Sequence, residues 1–173
     1  MIDVVFAAAR PAHGALALPV GKGALTERTG NEASAIGLQA AATLARFEGE
    51  AGTIAEHVDV TSAPRRMLLV GIGGGSEPDA VKAGSALTAR LLTSGETDVA
   101  VDAARLTTAQ LVAFLEGAVL RTWRYDKYRT KLPEAQKSTL ATLTVVGAGA
   151  GAQATYAQRA AVVRGVAFTR ELV

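Results

Sequence analysis

Apolar residues along this chain fall into short continuous blocks and longer stretches at helical spacing, and the two kinds alternate. Ile2 to Ala8 is apolar and β-rich and predicts a buried strand; Ala15 to Val20 predicts a second, with His13-Gly14 as the turn between them. Gly21-Lys22-Gly23 interrupts the pattern. Asn31 is placed to cap a helix running through Ile36, Leu38 and Leu44 to about Phe47, ended by Gly49 and Gly52. Thr53 to Val60 reads as a strand with Ile54, Val58 and Val60 on one face. Arg66 to Ile72, built around Met67-Leu68-Leu69-Val70, is apolar on both faces, which predicts a central strand covered by helices on each side.

The second half carries clearer punctuation. Ser76 with Asp79 three residues on forms a capping-box variant, and Pro78 sits in the first turn, where a missing N–H costs nothing. The helix that follows turns Val81, Gly84, Leu87 and Leu91 inward and ends at Ser94-Gly95. Asp98 to Asp102 predicts a short strand. Thr107-x-x-Gln110 is a second capping box, opening a helix with Val112, Leu115, Val119 and Trp123 as its apolar stripe. Leu132-Pro133 lies in a loop, Ser138 to Val146 predicts a strand, and Gly147 to Gly151 a turn. The last helix places Ala160, Val163, Ala167 and Leu172 on one broad face, and nothing after Phe168 resembles a helix stop. That ending carries the expectation of a longer protein of which this is the front part. Strands alternating with helices predict a three-layer α/β/α fold around a largely parallel or mixed sheet.

Composition adds limits. With 173 residues the chain fits one domain, and its 5% aromatic content requires a core of small aliphatic side chains. The absence of cysteine excludes disulfides, thiolate metal sites and a thiol nucleophile. No signal-peptide pattern opens the chain, and no stretch reaches the roughly 18 apolar residues of a membrane span, so the expected location is cytoplasmic. The net charge of +2 hides a local concentration: Arg121 to Lys137 carries six basic and two acidic residues.

Candidate chemistry is sparse. Gly71, Gly73, Gly74 and Gly75 with Ser76 stand between strand and helix, where backbone N–H groups can hold an anion. No Lys-Ser/Thr pair follows, so this is no P-loop, and Ser76 occupies the third-glycine position of a Rossmann fingerprint; a plain chain reversal is the competing reading. Gly147-Ala-Gly-Ala-Gly-Ala152 matches G-x-G-x-x-A, but only one helix follows it, without the strand that carries a ribose-binding acid. His13 and His57 are far apart and lack a metal-ligand pattern, His13 reading as a turn residue and His57 as a strand-edge residue. No Gly-x-Ser-x-Gly elbow occurs. Arg121, Arg124, Lys127, Arg129 and Lys131, interleaved with Trp123, Tyr125 and Tyr128, form a pattern that contacts phosphates and stacks on bases. The competing reading is a helix C-terminus whose cations complement the macrodipole.

Several of these segments resemble, in order and spacing, the N-terminal domain of the leucyl aminopeptidases, the M17 metallopeptidases. Arg66-Met-Leu-Leu-Val-Gly-Ile-Gly73 is similar to that domain's "RVLLVGLG" strand and turn. Glu116-Gly117-Ala118 with Leu120, Tyr125, Lys127 and Tyr128 resembles "EG…L..Y.F..YK", Phe47-Glu-Gly-Glu50 resembles "F.GK", and Ala167 to Val173 resembles the "ARDLVN" junction. Trp123-Arg124-Tyr125, Arg129 and Glu171 depart from the usual pattern. The likeness runs from Ile2 to Val173. It implies a macro-domain-like fold, a C-terminal catalytic domain as partner, and hexamers in the parent. It also implies a parent that removes N-terminal residues from peptides with two divalent metals, Zn or Mn. The family's metal ligands (a lysine, aspartates and a glutamate) and its "NTDAEGR" signature belong to the catalytic domain and have no counterpart here. The resemblance therefore implies no catalytic, cofactor-binding or metal residue in residues 1–173. Two alternatives stand beside it: a macro-like module holding ADP-ribose or a related phosphate at Gly71 to Gly75, and a DNA-contacting domain using the Arg121 to Lys131 cations.

Overall fold

In the computed structural model of the chain, residues 1–30, 34–60, 65–124 and 131–172 are described. The elements are β1 (Asp3–Ala7), β2 (Ala15–Val20), α1 (Leu25–Thr29), α2 (Ala35–Leu44), β3 (Ile54–Asp59), β4 (Arg65–Gly71), α3 (Glu77–Leu91), β5 (Asp98–Asp102), α4 (Thr108–Leu120), β6 (Thr142–Val146) and α5 (Ala152–Glu171). A single turn of 3-10 helix at Glu134–Gln136 precedes β6. The six strands lie in the order β1-β6-β5-β2-β4-β3, all neighbours parallel except the antiparallel β3–β4 pair. This is the expected mixed sheet between helical layers.

The pleat sorts the continuous apolar runs into two cores. In β2, Leu16, Leu18 and Val20 point to one side with Met67 and Leu69 of β4, and pack against Leu38 and Ala42 of α2 and against Phe47. The alternate residues, Ala15, Ala17, Leu68 and Val70, face the other way onto α3, α4 and α5. Every residue of β2 is buried, as its composition predicts. β1 departs from its expectation: it forms a sheet edge paired only with β6, and Val5 is 47% exposed. An apolar run of this length does not distinguish a central strand from a half-covered edge.

On the second face, α3 and α4 approach until their backbones nearly touch. A Cβ on Gly84 would stand 1.9 Å from the Phe114 carbonyl oxygen, and one on Gly117 would stand 2.0 Å from the Val81 carbonyl oxygen. Two hydroxyls tie the same seam: Thr88 Oγ1 donates to the Ala118 carbonyl at 3.0 Å and Ser85 Oγ to the Gly117 carbonyl at 3.1 Å. Small residues at these positions let each helix seat into the other, and the hydroxyls bond to carbonyls within the seam.

Both predicted caps form. Ser76 Oγ accepts from the Asp79 N–H at 3.3 Å. Thr107 and Gln110 make the full reciprocal box, at 3.3 Å from the Gln110 N–H to Thr107 Oγ1 and 3.0 Å from the Thr107 N–H to Gln110 Oε1. Thr107→Ala should therefore cost about 1 kcal/mol, read as a lowered urea midpoint at unchanged slope. An unshifted midpoint would show that the box adds nothing to α4.

The α2 region differs most from its sequence reading. Asn31 lies outside the described residues, the helix starts at Ala35 after Ser34, and Ile36 and Leu44 are 86% and 87% exposed. Gly49 and Gly52 do not end it. Arg46 turns left-handed at φ 50°, the Phe47 N–H donates back to the Ala42 carbonyl at 2.8 Å and the Arg46 N–H to Thr43 at 3.1 Å. That is a Schellman closure with arginine where glycine is usual, and it drops Phe47 into the core. α1, five residues long, has no counterpart in the sequence reading. β3 and β6 are shorter than expected, and Val58 and Val60 are 48% and 74% exposed at the β3 edge. Trp123 lies beyond the end of α4, where Arg170 of α5 sits 5.7 Å from its ring centroid.

Candidate functional site

The sheet opens where its order reverses. β2 pairs with β5 only from Ala15 to Ala17, but stays with β4 as far as Val20 opposite Gly71. Beyond Ala17 a gap therefore forms at the carboxyl ends of β2 and β5, the position where open α/β sheets accept ligands. Pro19 suits this gap, since it has no N–H to leave unpaired there. Its carbonyl accepts from Arg28 Nε of α1 at 3.2 Å.

Arg28 closes the floor. It is 8% exposed, and its Nη2 lies 3.1 Å from Asp102 Oδ2 at the end of β5. Arg10, in the loop after β1, donates to the same Asp102 oxygen, and the Ala104 N–H donates to the other at 3.0 Å. Burial alone would push the Asp102 carboxyl up. The Ala104 N–H and the Arg28 and Arg10 guanidinium groups outweigh it and hold the carboxyl below the ordinary carboxylate value.

Above this floor lies a cleft of about 370 Å³, lined by residues that include Lys22, Arg28, Gly73, Gly74, Gly75, Arg105 and Gln110. Lys22 pairs with Glu50 at 2.7 Å, which raises its pKa, and Arg105 pairs with Glu27. Gln110, besides capping α4, donates to the Gly75 carbonyl at 2.8 Å and so joins the helix start to the loop.

The sequence-selected glycines border this cleft, with Gly73 and Gly75 left-handed at φ 57° and 80°. Most of the loop amides are spent on the fold. The Gly71 N–H donates to Thr53, Ile72 to Val20, Gly73 to Gly49 and Gly75 to Ile72, all at 2.9 Å. Ser76 uses its hydroxyl as the cap of α3. The cationic side chains around the loop, Lys22, Arg28 and Arg105, escaped the sequence reading. Lys22 stood only as part of a pattern break, and Arg28 lies on the short α1.

The basic segment is only partly described: Tyr125, Lys127, Tyr128 and Arg129 lie outside the described residues. Arg121 is exposed at the end of α4, Lys131 is exposed, and Arg124 donates to the Gln136 carbonyl at 2.6 Å. The second glycine run, Gly147 to Gly151, connects β6 to α5 and is not part of the cleft lining, although Gly147 stands against Ala104 beside it. His13 occupies the β1–β2 connection, and His57 lies on β3 against α2 at Gly37.

The described residues do not fit a pair of catalytic metals. Among the described residues no group of three histidine, aspartate or glutamate side chains could hold one. Three enclosed carboxylates are committed to arginines, Asp102 to Arg10 and Arg28, Glu56 to Arg66 and Arg90, and Glu116 to Arg159. No helix of the described residues is long and apolar enough to cross a membrane.

Sheet order, two helical layers and a crevice at the switch point define a macro-like, three-layer α/β domain. The chain belongs to the cytosol aminopeptidase family: residues 17–132 match its N-terminal domain. It is 32% identical over 142 residues to a probable cytosol aminopeptidase of Rhizobium etli, covering 77% of this chain and 29% of that protein. It is also 32% identical over 152 residues to one of Caulobacter vibrioides, covering 84% of this chain and 30% of that protein. A tomato leucine aminopeptidase mutant shares the fold with a TM-score of 0.78 at 22% identity, covering 99% of this chain and 38% of that one. The bottromycin maturation enzyme BotP shares it with a TM-score of 0.63 at 20% identity, covering 90% and 31%. The chain thus spans less than a third of the length of the curated relatives named here.

Proposed function

We propose that residues 1–173 form a non-catalytic, macro-like N-terminal domain that serves an aminopeptidase catalytic domain. The observation that carries this is the family match to the N-terminal part of proteins about three times as long. In that role the domain anchors the catalytic part through α5, shields access to the active site and supports a hexamer. The catalytic part supplies the two divalent metals, Zn or Mn, and removes N-terminal residues from peptides. The exposed apolar residues Val162, Phe168 and Leu172, at 58%, 62% and 70% exposure, supply the contact area.

The purified chain should not hydrolyse leucyl-p-nitroanilide with Mn²⁺ or Zn²⁺ added, and metal-dependent turnover would overturn the proposal. In a chimera where this chain replaces the corresponding part of the Rhizobium etli relative, activity should be retained. Phe168→Asp with Leu172→Asp should lower it or weaken assembly. An active, fully assembled chimera carrying both aspartates would remove the anchoring role.

A further inference from the structure

The cleft at the switch point has a charge pattern that the peptidase reading does not use. Its lining contains three cations, Lys22, Arg28 and Arg105, and no carboxylate. The acidic partners of the two rim cations stand outside the lining and in water, with Glu50 and Glu27 side chains 53% and 71% exposed. Exposed pairs of this kind contribute little to stability, so either cation exchanges its carboxylate for an incoming anion at little cost. Arg28 stays on the floor with Asp102, and the two rim cations turned inward offer a charge of two, which matches a dianion. A phosphate monoester carries about −1.5 to −2 at neutral pH, whereas a single carboxylate supplies half of what the rim offers. At about 370 Å³ the cleft exceeds what a bare phosphate fills, and its remaining wall includes Ile72 and Leu106, which suit an apolar or ring-shaped body.

We infer that this cleft binds a small organic phosphate, the phosphate between Lys22 and Arg105 above Arg28 and the organic part against Ile72 and Leu106. The contacts come from side chains, because four loop amides are already bonded within the fold. This separates the assignment from a glycine-loop phosphate cradle and makes it independent of any peptidase role.

The test is titration of the 173-residue chain with AMP, ribose 5-phosphate and phenyl phosphate, alongside inorganic phosphate and uncharged adenosine, followed by calorimetry and melting temperature. At least one phosphomonoester should bind, at least about tenfold more tightly than inorganic phosphate, and more weakly as salt rises. Lys22→Glu with Arg105→Glu should weaken that binding about a hundredfold or more, with the ligand-free melting temperature little changed because both side chains are exposed. Arg121→Glu, on a distant surface, should leave binding unaltered. The inference is overturned if no phosphomonoester binds at millimolar concentration or if adenosine binds as well as AMP. It is also overturned if inorganic phosphate matches every ester, or if the double variant binds normally.

Discussion

Gly84→Ala should lower stability by about 3 kcal/mol, at the upper end of what overpacking usually costs. The added methyl would stand 1.9 Å from the Phe114 carbonyl oxygen, inside any allowed contact, and its obstacle is backbone rather than a side chain that can swing away. α3 and α4 would have to part. That lengthens the Thr88–Ala118 and Ser85–Gly117 hydrogen bonds and opens space beside Phe114 and Leu87, both fully buried. Gly117→Ala meets the Val81 carbonyl oxygen at 2.0 Å and should cost as much. Gly165→Ala is the control. It lies inside α5, exposed, with nothing within 4 Å of the new methyl. It should stabilise by about 0.5–1 kcal/mol through helix propensity and the stiffer unfolded chain. Urea denaturation of the three variants compares these signs directly. Equal effects at Gly84 and Gly165 would mean that the two helices do not meet as closely as described.

Asp102→Asn should cost about 3–5 kcal/mol, the usual penalty for removing one partner of an enclosed ion pair. The substitution removes the carboxylate charge 3.1 Å from Arg28, which is 8% exposed, and takes the same charge from Arg10. The acid dependence has a definite sign. Asp102 titrates below its ordinary value of 3.8 when folded, so the unfolded chain binds the proton more tightly. Its stabilisation is fully present above that ordinary value and is lost as pH falls through the lower folded value. Glu56 behaves alike: burial would raise it, but hydrogen bonds from Arg66 and Arg90 bring it below its ordinary 4.5. Wild type should therefore lose stability steeply on acidification below about pH 4, and Asp102→Asn should show a shallower loss, the remainder belonging to Glu56. Parallel curves for the two proteins would show that the Asp102 cluster does not act as described.

Legibility in the sequence followed the strength of the local signal. β2 and β4 are unbroken apolar blocks and were readable as strands, and the Ser76 and Thr107 boxes marked the starts of α3 and α4. Ile36 and Leu44 obeyed a helical period yet face water, because the side of α2 that meets the sheet is set by Leu38, Ala42 and the turn at Arg46. A left-handed arginine has no sequence mark comparable to glycine. α1 spans little more than one turn, too short to show a period. The glycine loop was visible as a chain reversal beside a possible anion. The cations that border it were not, because Lys22 after β2, Arg28 on α1 and Arg105 after β5 come from separate parts of the chain and meet only when the sheet has formed. Hydrophobic periodicity cannot see a charge cluster assembled from distant loops.

The position of β1 shapes how the chain reaches its native state. Among the described residues β1 pairs with β6 alone, Asp3 opposite Thr142 through Ala7 opposite Val146, and the other four strands lie between them in sequence. On the ribosome Val4, Val5 and Phe6 must wait for their partner strand until β6 has emerged. The four inner and far-side strands can assemble before them, so pairing of β1 with β6, the pairing most distant in sequence, follows the shorter-range ones. During that interval the uncovered strand is a template on which a neighbour's sheet can add.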